Sequence, residues 1–184
     1  MTQYLIQMSG VPGSGKSTIA RGIAGDLKAI VLDHDDTKSA ILSTGIENNL
    51  SGMASYEVIK VFVEQFVSQG FTVIIDSPCL YSELLDFGQT VANRYQVRYR
   101  YIECRLDDLE ELNDRLENRS SKTSQAKTLN TSILVHGKPP AREARDVFVE
   151  WAEDMKRPDL DFLVIDSSEP PNVCISQALE YVRT

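Results

Sequence analysis

The sequence predicts a three-layer α/β fold, with a five-stranded parallel sheet covered by helices on both faces. Three observations point to it. Apolar, strand-like runs alternate with stretches of helical periodicity along the chain, and most of these runs are apolar throughout, as strands buried on both sides are. A glycine-rich turn follows the first run and acids end later ones, which is where ligands bind in open parallel sheets. The length of 184 residues, 42% of them hydrophobic, suits one well-buried domain over 1–184.

The first strand runs from Tyr4 to Met8. Ser17 to Leu27 reads as a helix, Ala29 to Asp33 as a short buried strand, and Asp35 to Ser43 as a helix that opens with acids. Gly45, Asn48, Asn49, Ser51 and Gly52 make Ser43 to Ser55 an expected loop or loosely ordered cap. From Tyr56 to Gln69, Val58, Ile59, Phe62, Val63, Phe66 and Val67 recur at helical spacing and are expected in the core, with Gly70 as the cap. Phe71 to Asp76 is the third strand, and a helix follows from Ser82 to Tyr95. Val97 to Cys104 is the fourth strand, and Tyr99, Tyr101 and Glu103 suggest a partly exposed face. A helix from Asp107 to Arg119 carries acids in its first turn, favourable against the helix dipole. After a polar stretch come a helix from Ala141 to Lys156, a strand from Asp161 to Asp166 and a helix from Pro171 to Val182.

Gly10-Val11-Pro12-Gly13-Ser14-Gly15-Lys16-Ser17 is a complete G-x-x-x-x-G-K-[ST] phosphate-binding loop between a strand and a helix. Its glycines let backbone N–H groups turn inward around a polyphosphate, and the helix behind it adds its positive N-terminal end. The expected nucleotide contacts are Gly10, Pro12, Gly13, Ser14, Gly15, Lys16, Ser17 and Thr18. Lys16 is expected to reach the β/γ-phosphates and Ser17 to ligate Mg²⁺.

Composition narrows the class. A net charge of −8 disfavours a general nucleic-acid binder. Cys79, Cys104 and Cys174 are odd in number and lack C-x-x-C spacing, so neither disulfides nor a zinc site is indicated. No apolar run approaches a membrane span and no basic-then-apolar leader opens the chain, so a soluble cytoplasmic protein is expected.

Asp35-Asp36-Thr37-Lys38, directly after the second strand, resembles the Asp-Asp-x-Arg of polynucleotide 5′-hydroxyl kinases, with lysine at the arginine position. With the phosphate loop, it makes the chain similar to P-loop kinases of the polynucleotide 5′-hydroxyl kinase, gluconate kinase and chloramphenicol phosphotransferase type, an AAA-type ATP-binding domain. That resemblance implies the P-loop NTP hydrolase fold with a lid, ATP and Mg²⁺ as cofactors, and the first Asp of the motif, here Asp35, as catalytic base. Asp35 is also a metal candidate, and the alternative is that Asp35 or Asp36 simply caps the following helix. Asp33 is expected near the metal or in solvent, and His34 packed or solvated. Asp76 ends the third strand like a Walker-B acid: it would ligate Mg²⁺, or orient the acceptor or Lys38, or cap the Ser77-Pro78 turn. Lys38, Asp35 and Asp76 form the expected acceptor side. Asp166 has a weaker claim, and the resemblance implies that Ser167 to Pro170 line the adenine pocket.

Ser120 to Arg142 contains Lys122, Lys127, His136, Lys138 and Arg142 and no acid, which suits a lid over 120–140 that closes on the transferred phosphoryl group. Leu112 to Arg119 resembles the Glu-Arg-Leu-x-x-Arg pattern leading into the lid of these kinases, with Asp114 in place of Glu. By that resemblance Arg119 contacts ATP, through its phosphates or by stacking on adenine, and Arg115 reaches the phosphoryl group; a surface pair balancing helix acids is the alternative. Arg142 and Arg145 are weaker candidates.

Between Gly22 and Asn93 there is no arginine, and only Lys28, Lys38 and Lys60 are basic. A phosphorylated acceptor is usually clamped by arginine on this side of the cleft, so the expected acceptor is a small molecule bearing a hydroxyl. The expected reaction is transfer of the γ-phosphoryl group of ATP to that hydroxyl, with Lys16, Asp35 and Arg119 as the catalytic set. A polynucleotide 5′-hydroxyl kinase and a non-kinase ATP- or GTP-dependent switch are the alternatives; the latter lacks an N-K-x-D motif.

Overall fold

The computed structural model describes residues 2–135, 138–159 and 161–184. Five strands, β1 (Tyr4–Ser9), β2 (Ile30–Asp33), β3 (Val73–Asp76), β4 (Arg98–Arg105) and β7 (Leu163–Asp166), form a parallel sheet in the order β2-β3-β1-β4-β7. The helices are α1 (Lys16–Leu27), α2 (His34–Leu42), α3 (Asn48–Ser68), α4 (Ser82–Tyr95), α5 (Leu109–Asn118), α6 (Ala144–Glu153) and α7 (Pro171–Arg183). This is the expected three-layer α/β architecture. β1 is central and buried along its whole length, so its side chains feed two cores by strict alternation. Ile6 and Met8 pack with Ile19 and Ile23 of α1 and Ala178 and Val182 of α7. Leu5 faces the other way, onto Ile59 and Val63 of α3 and Leu84 and Val91 of α4. A third cluster, with Val11, Leu112, Leu116, Leu129 and Phe148, joins the phosphate loop to α5, α6 and the polar segment.

Four expectations are corrected. The segment expected as a loop is helical from Asn48 onward. Glycine, asparagine and serine are poor helix formers, but Ser51 and Ser55 are fully buried here, and their hydroxyls donate to Asn48 O and Gly52 O at 2.8 and 2.7 Å. The α3 stripe is only half core: Ile59, Val63 and Val67 are buried, whereas Val58 and Phe62 are exposed. The stripe is wider than the contact that the sheet offers one helix. On β4, Tyr101 and Glu103 are buried rather than exposed, because Tyr101 Oη donates to Lys156 O at 2.5 Å and Arg157 forks onto Glu103 at 2.7 and 2.8 Å. The segment after α6 covers that face.

The fourth correction concerns the segment between α5 and α6. Ser132–Val135 (β5) and Lys138–Glu143 (β6) pair as an antiparallel ribbon, so α6 starts at Ala144 rather than Ala141. Two prolines masked the strand pattern, yet a two-stranded ribbon is all edge and tolerates them. His136 and Gly137 of the expected lid lie outside the described residues. Among the described residues no helix is long and apolar enough to cross a membrane. Cys79, Cys104 and Cys174 are free and buried.

Candidate active site

The phosphate loop leaves the carboxyl end of β1 and runs into α1, and a cleft of about 610 Å³ opens over it. Pro12, Gly13, Gly15, Lys16, Ser17 and Thr18 line its floor. Gly15 caps α1 in the left-handed region at φ 88, where any other residue is strained, and this aims the first N–H groups of the helix into the cleft. Gly10 and Ser14 do not line the cleft; Ser14 is fully buried beneath it, with a hydroxyl that has no partner among the described residues. Lys16 Nζ donates to Val11 O at 2.9 Å. Burial pulls its pKa below the usual lysine value, and Asp76 opposes that. An anionic ligand would stabilise this ammonium.

The strand-end acids face the same cleft. Asp76 is buried, and its Oδ2 has no hydrogen-bond partner among the described residues. Burial raises its pKa against the opposing effects of Lys16 and a hydrogen bond from Ser17. A buried carboxylate oxygen beside a serine hydroxyl is a hard-oxygen donor set, and Mg²⁺ takes one or two such protein ligands plus phosphate oxygens and water. Ser17 and Asp76 therefore fit the expected ion. No group of three His, Cys, Asp or Glu side chains comes together as a metal cluster among the described residues.

Asp33 is the helix cap, a role that the sequence left as the alternative for Asp35 or Asp36. Its Oδ1 accepts from Asp35 N at 2.9 Å and Asp36 N at 3.1 Å, while its Oδ2 meets Arg21 at 2.9 Å and Lys122 at 2.6 Å. The Asp35 side chain is thereby released from capping and lines the cleft. Burial raises its pKa, but the nearby His34, the hydrogen bond from Gln125 and the charge of Lys16 outweigh that and hold it well below the usual carboxylate range. Asp36 pairs with Lys122 at 2.8 Å. His34 is packed: its ring stacks on Tyr56 with centroids 4.2 Å apart, and Nε2 lies 2.9 Å from Ser55 Oγ.

Lys38 does not line the cleft. It is half-buried on α2 with Cε 3.9 Å from the position of a Cβ at Gly52, and burial lowers its pKa while Asp35 raises it. Both arginines before the lid do line the cleft. They do not share a helix face, because α5 ends at Asn118 and Arg119 is extended. Arg115 donates to Glu111 Oε1 at 2.5 Å and to Ser167 O at 2.7 Å. Arg119 donates to Ala126 O at 2.8 Å and keeps a buried Nε without a partner among the described residues. Arg142 and Arg145 instead pair with Glu150 and Glu110 and do not line the cleft. Of the segment after β7, Ser167 and Glu169 line it while Ser168 and Pro170 do not, and Asp166 is exposed and accepts from Ser168.

Lys122, Gln125, Pro171 and Cys174 were not singled out for the site and also line the cleft. The missing acids around Lys122 marked its segment, but nothing in the sequence distinguishes Gln125 from any polar loop residue.

Residues 5–138 match the model of an AAA domain family. The chain belongs to that family. The matched span holds the phosphate loop, Asp35, Asp76, Arg115 and Arg119. A relative, the cytidine diphosphoramidate kinase of Campylobacter jejuni, is 26% identical over 137 residues, covering 71% of this chain and 74% of that one. Among solved structures, a gluconokinase from Sinorhizobium meliloti 1021 is similar with a TM-score of 0.63 at 18% identity, covering 97% of this chain and 91% of the other. The APS kinase of Mycobacterium tuberculosis, in complex with AMPPNP and APS, gives 0.65 at 14% identity, with 100% and 98% covered. The AAA domain of this chain thus has the P-loop kinase fold that its loop predicted.

Proposed function

We propose that this protein is an ATP-dependent kinase that transfers the γ-phosphoryl group to a hydroxyl of a small molecule. The family, the kinase relatives and the phosphate loop support the phosphotransferase class. The observation that carries the finer reading is Asp35: an ionised carboxylate, relieved of capping by Asp33, on the same cleft as Lys16. In this reading Lys16 and the N–H groups of the loop hold the phosphates, and Ser17 and Asp76 hold Mg²⁺. The ion supplies charge neutralisation on the phosphates when bound. Asp35 takes the hydroxyl proton as the acceptor oxygen bonds to Pγ; the bond from Pγ to the bridging oxygen breaks, and its electron pair leaves with ADP. Arg115 and Arg119 approach the nucleotide from the lid side, where their cations oppose the charge of the transferring group.

The acceptor side favours a small hydroxylated molecule over a polyanion. None of the three lysines between Gly22 and Asn93 lines the cleft: Lys38 is half-buried on α2, Lys28 is exposed at the end of α1 and Lys60 pairs with Glu57. The test is a screen of polyols, sugars, nucleosides and amino alcohols for acceptor-dependent ADP release, with phosphorylated products weighed by mass spectrometry. Asp35→Asn is expected to bind ATP normally and to lose transfer by a factor of about 100 or more. Near-normal transfer in that variant would remove Asp35 as the base.

A further inference from the structure

We propose that Gln125 is a positioning residue, which aims Asp35 at the hydroxyl that receives the phosphoryl group. The inference rests on Asp35 being the base. A carboxylate acts well as a base only when one oxygen is presented to the proton in a fixed direction, and an enzyme base is commonly oriented by a third group. Asp35 has such a group. Gln125 Nε2 donates to Asp35 Oδ2 at 2.6 Å. The other oxygen, Oδ1, has His34 Nδ1 at 3.6 Å, beyond hydrogen-bond distance, and belongs to a side chain that lines the cleft. The donor thus occupies one oxygen and leaves the second for the acceptor.

The amide is itself held in place. Ser124 N–H donates to Ser39 Oγ at 3.3 Å, Ser39 Oγ donates to Ser124 Oγ at 2.9 Å, and Ser124 Oγ donates to Asp35 O at 3.1 Å. The residue before Gln125 is therefore sewn to α2 at the turn that carries Asp35, and Gln125 reads the same residue's carboxylate. On the far side Arg119 holds Ala126 O, and three residues earlier Lys122 bridges Asp33 and Asp36. Contacts made only to close a lid would not need to engage both the main chain and the side chain of one catalytic candidate. Because the segment is tied to Arg119 as well, seating it couples the nucleotide side of the cleft to the aim of the base.

The step tested is the same transfer with water as the acceptor: Asp35 takes a water proton, the water oxygen bonds to Pγ, and ADP leaves with the bridging electron pair. Single-turnover hydrolysis of γ-labelled ATP in the presence of Mg²⁺ reads it without knowledge of the natural acceptor. Gln125→Ala and Gln125→Glu are compared with wild type and Asp35→Asn, together with ATP affinity by calorimetry and thermal midpoint. Glutamate keeps the size of glutamine but replaces the N–H donor with a charge that repels Asp35. The expected result is a loss of rate on the order of 10- to 100-fold in both Gln125 variants, with ATP affinity and thermal midpoint unchanged. A wild-type rate in Gln125→Ala, a wild-type rate in Gln125→Glu, or a rate loss accompanied by a lowered midpoint would each overturn the proposal. If Asp35→Asn hydrolyses normally, the base reading itself fails. If Asp35→Asn is inactive while Gln125→Ala is normal, only the positioning role falls.

Discussion

Replacing Gly13 with alanine tests whether the phosphate loop takes its shape from α5, which packs against it. A Cβ at this position would lie 2.9 Å from Leu112 Cδ1, 3.2 Å from Leu116 Cδ2 and 3.3 Å from Leu116 Cγ, and the residue has φ +89. The left-handed backbone costs a non-glycine residue about 1–2 kcal/mol. Pressing a methyl group into packed leucines adds about 1–3 kcal/mol, so Gly13→Ala is expected to lose about 2–5 kcal/mol of stability. Leu116 is fully buried, and Leu116→Ala is expected to lose about 2–5 kcal/mol through the cavity it leaves. In the double variant two of the three close contacts are gone and the new methyl points into the space vacated. The combined loss should fall short of the sum by about 1 kcal/mol. Urea unfolding followed by circular dichroism gives the three stabilities, and ATP titration of each variant reports the loop. Gly13→Ala should weaken ATP binding, with part of it restored by adding Leu116→Ala. Additivity within about 0.3 kcal/mol would refute the idea that α5 shapes the loop.

Two further outcomes follow from buried groups. Arg157→Ala strands the buried Glu103 carboxylate that it forks onto, so it should lower unfolding stability by about 3 kcal/mol, and adding Glu103→Gln should recover much of that loss; an effect below about 1 kcal/mol in urea melts would show the pair to be solvated. Burial pushes the Cys79 and Cys104 thiols up to about 12. Both should resist iodoacetamide at about pH 8 in the folded protein and react on unfolding. The unfolded chain releases these protons first, near the ordinary thiol value of about 8.5, so stability should fall as pH rises from there toward the folded value. Rapid labelling of either thiol under native conditions, or stability that stays flat over that range, would contradict the burial.

The elements that were legible are those whose signal is local. The phosphate loop demands glycine, lysine and serine at fixed offsets, and β1 and β3 are predominantly apolar runs, so both signals are local. Of the Ser43 to Ser55 segment only the part from Asn48 departs from the expected loop: its propensities are poor, and its helix carries Ser51 and Ser55 fully buried, with Ser55 Oγ against His34. The ribbon of β5 and β6 was missed for the opposite reason: prolines that would end a central strand are harmless on an edge.

At the site, sequence alone placed Lys16, Ser17, Asp35 and Asp76 around one strand-end cleft, because each stands within a few residues of a strand terminus and the parallel order brings those termini together. What each acid does was a tertiary decision. Asp33, Asp35 and Asp36 are equivalent as letters, and only the folded chain makes the first a cap, leaves the second in the cleft and pairs the third with Lys122. Gln125 stands 90 residues from Asp35, and no periodicity or motif reaches across that distance. Long-range hydrogen bonds are formed by the packing of whole elements, so the contact of Gln125 with Asp35 is visible only once α2 and the segment before the ribbon share one surface.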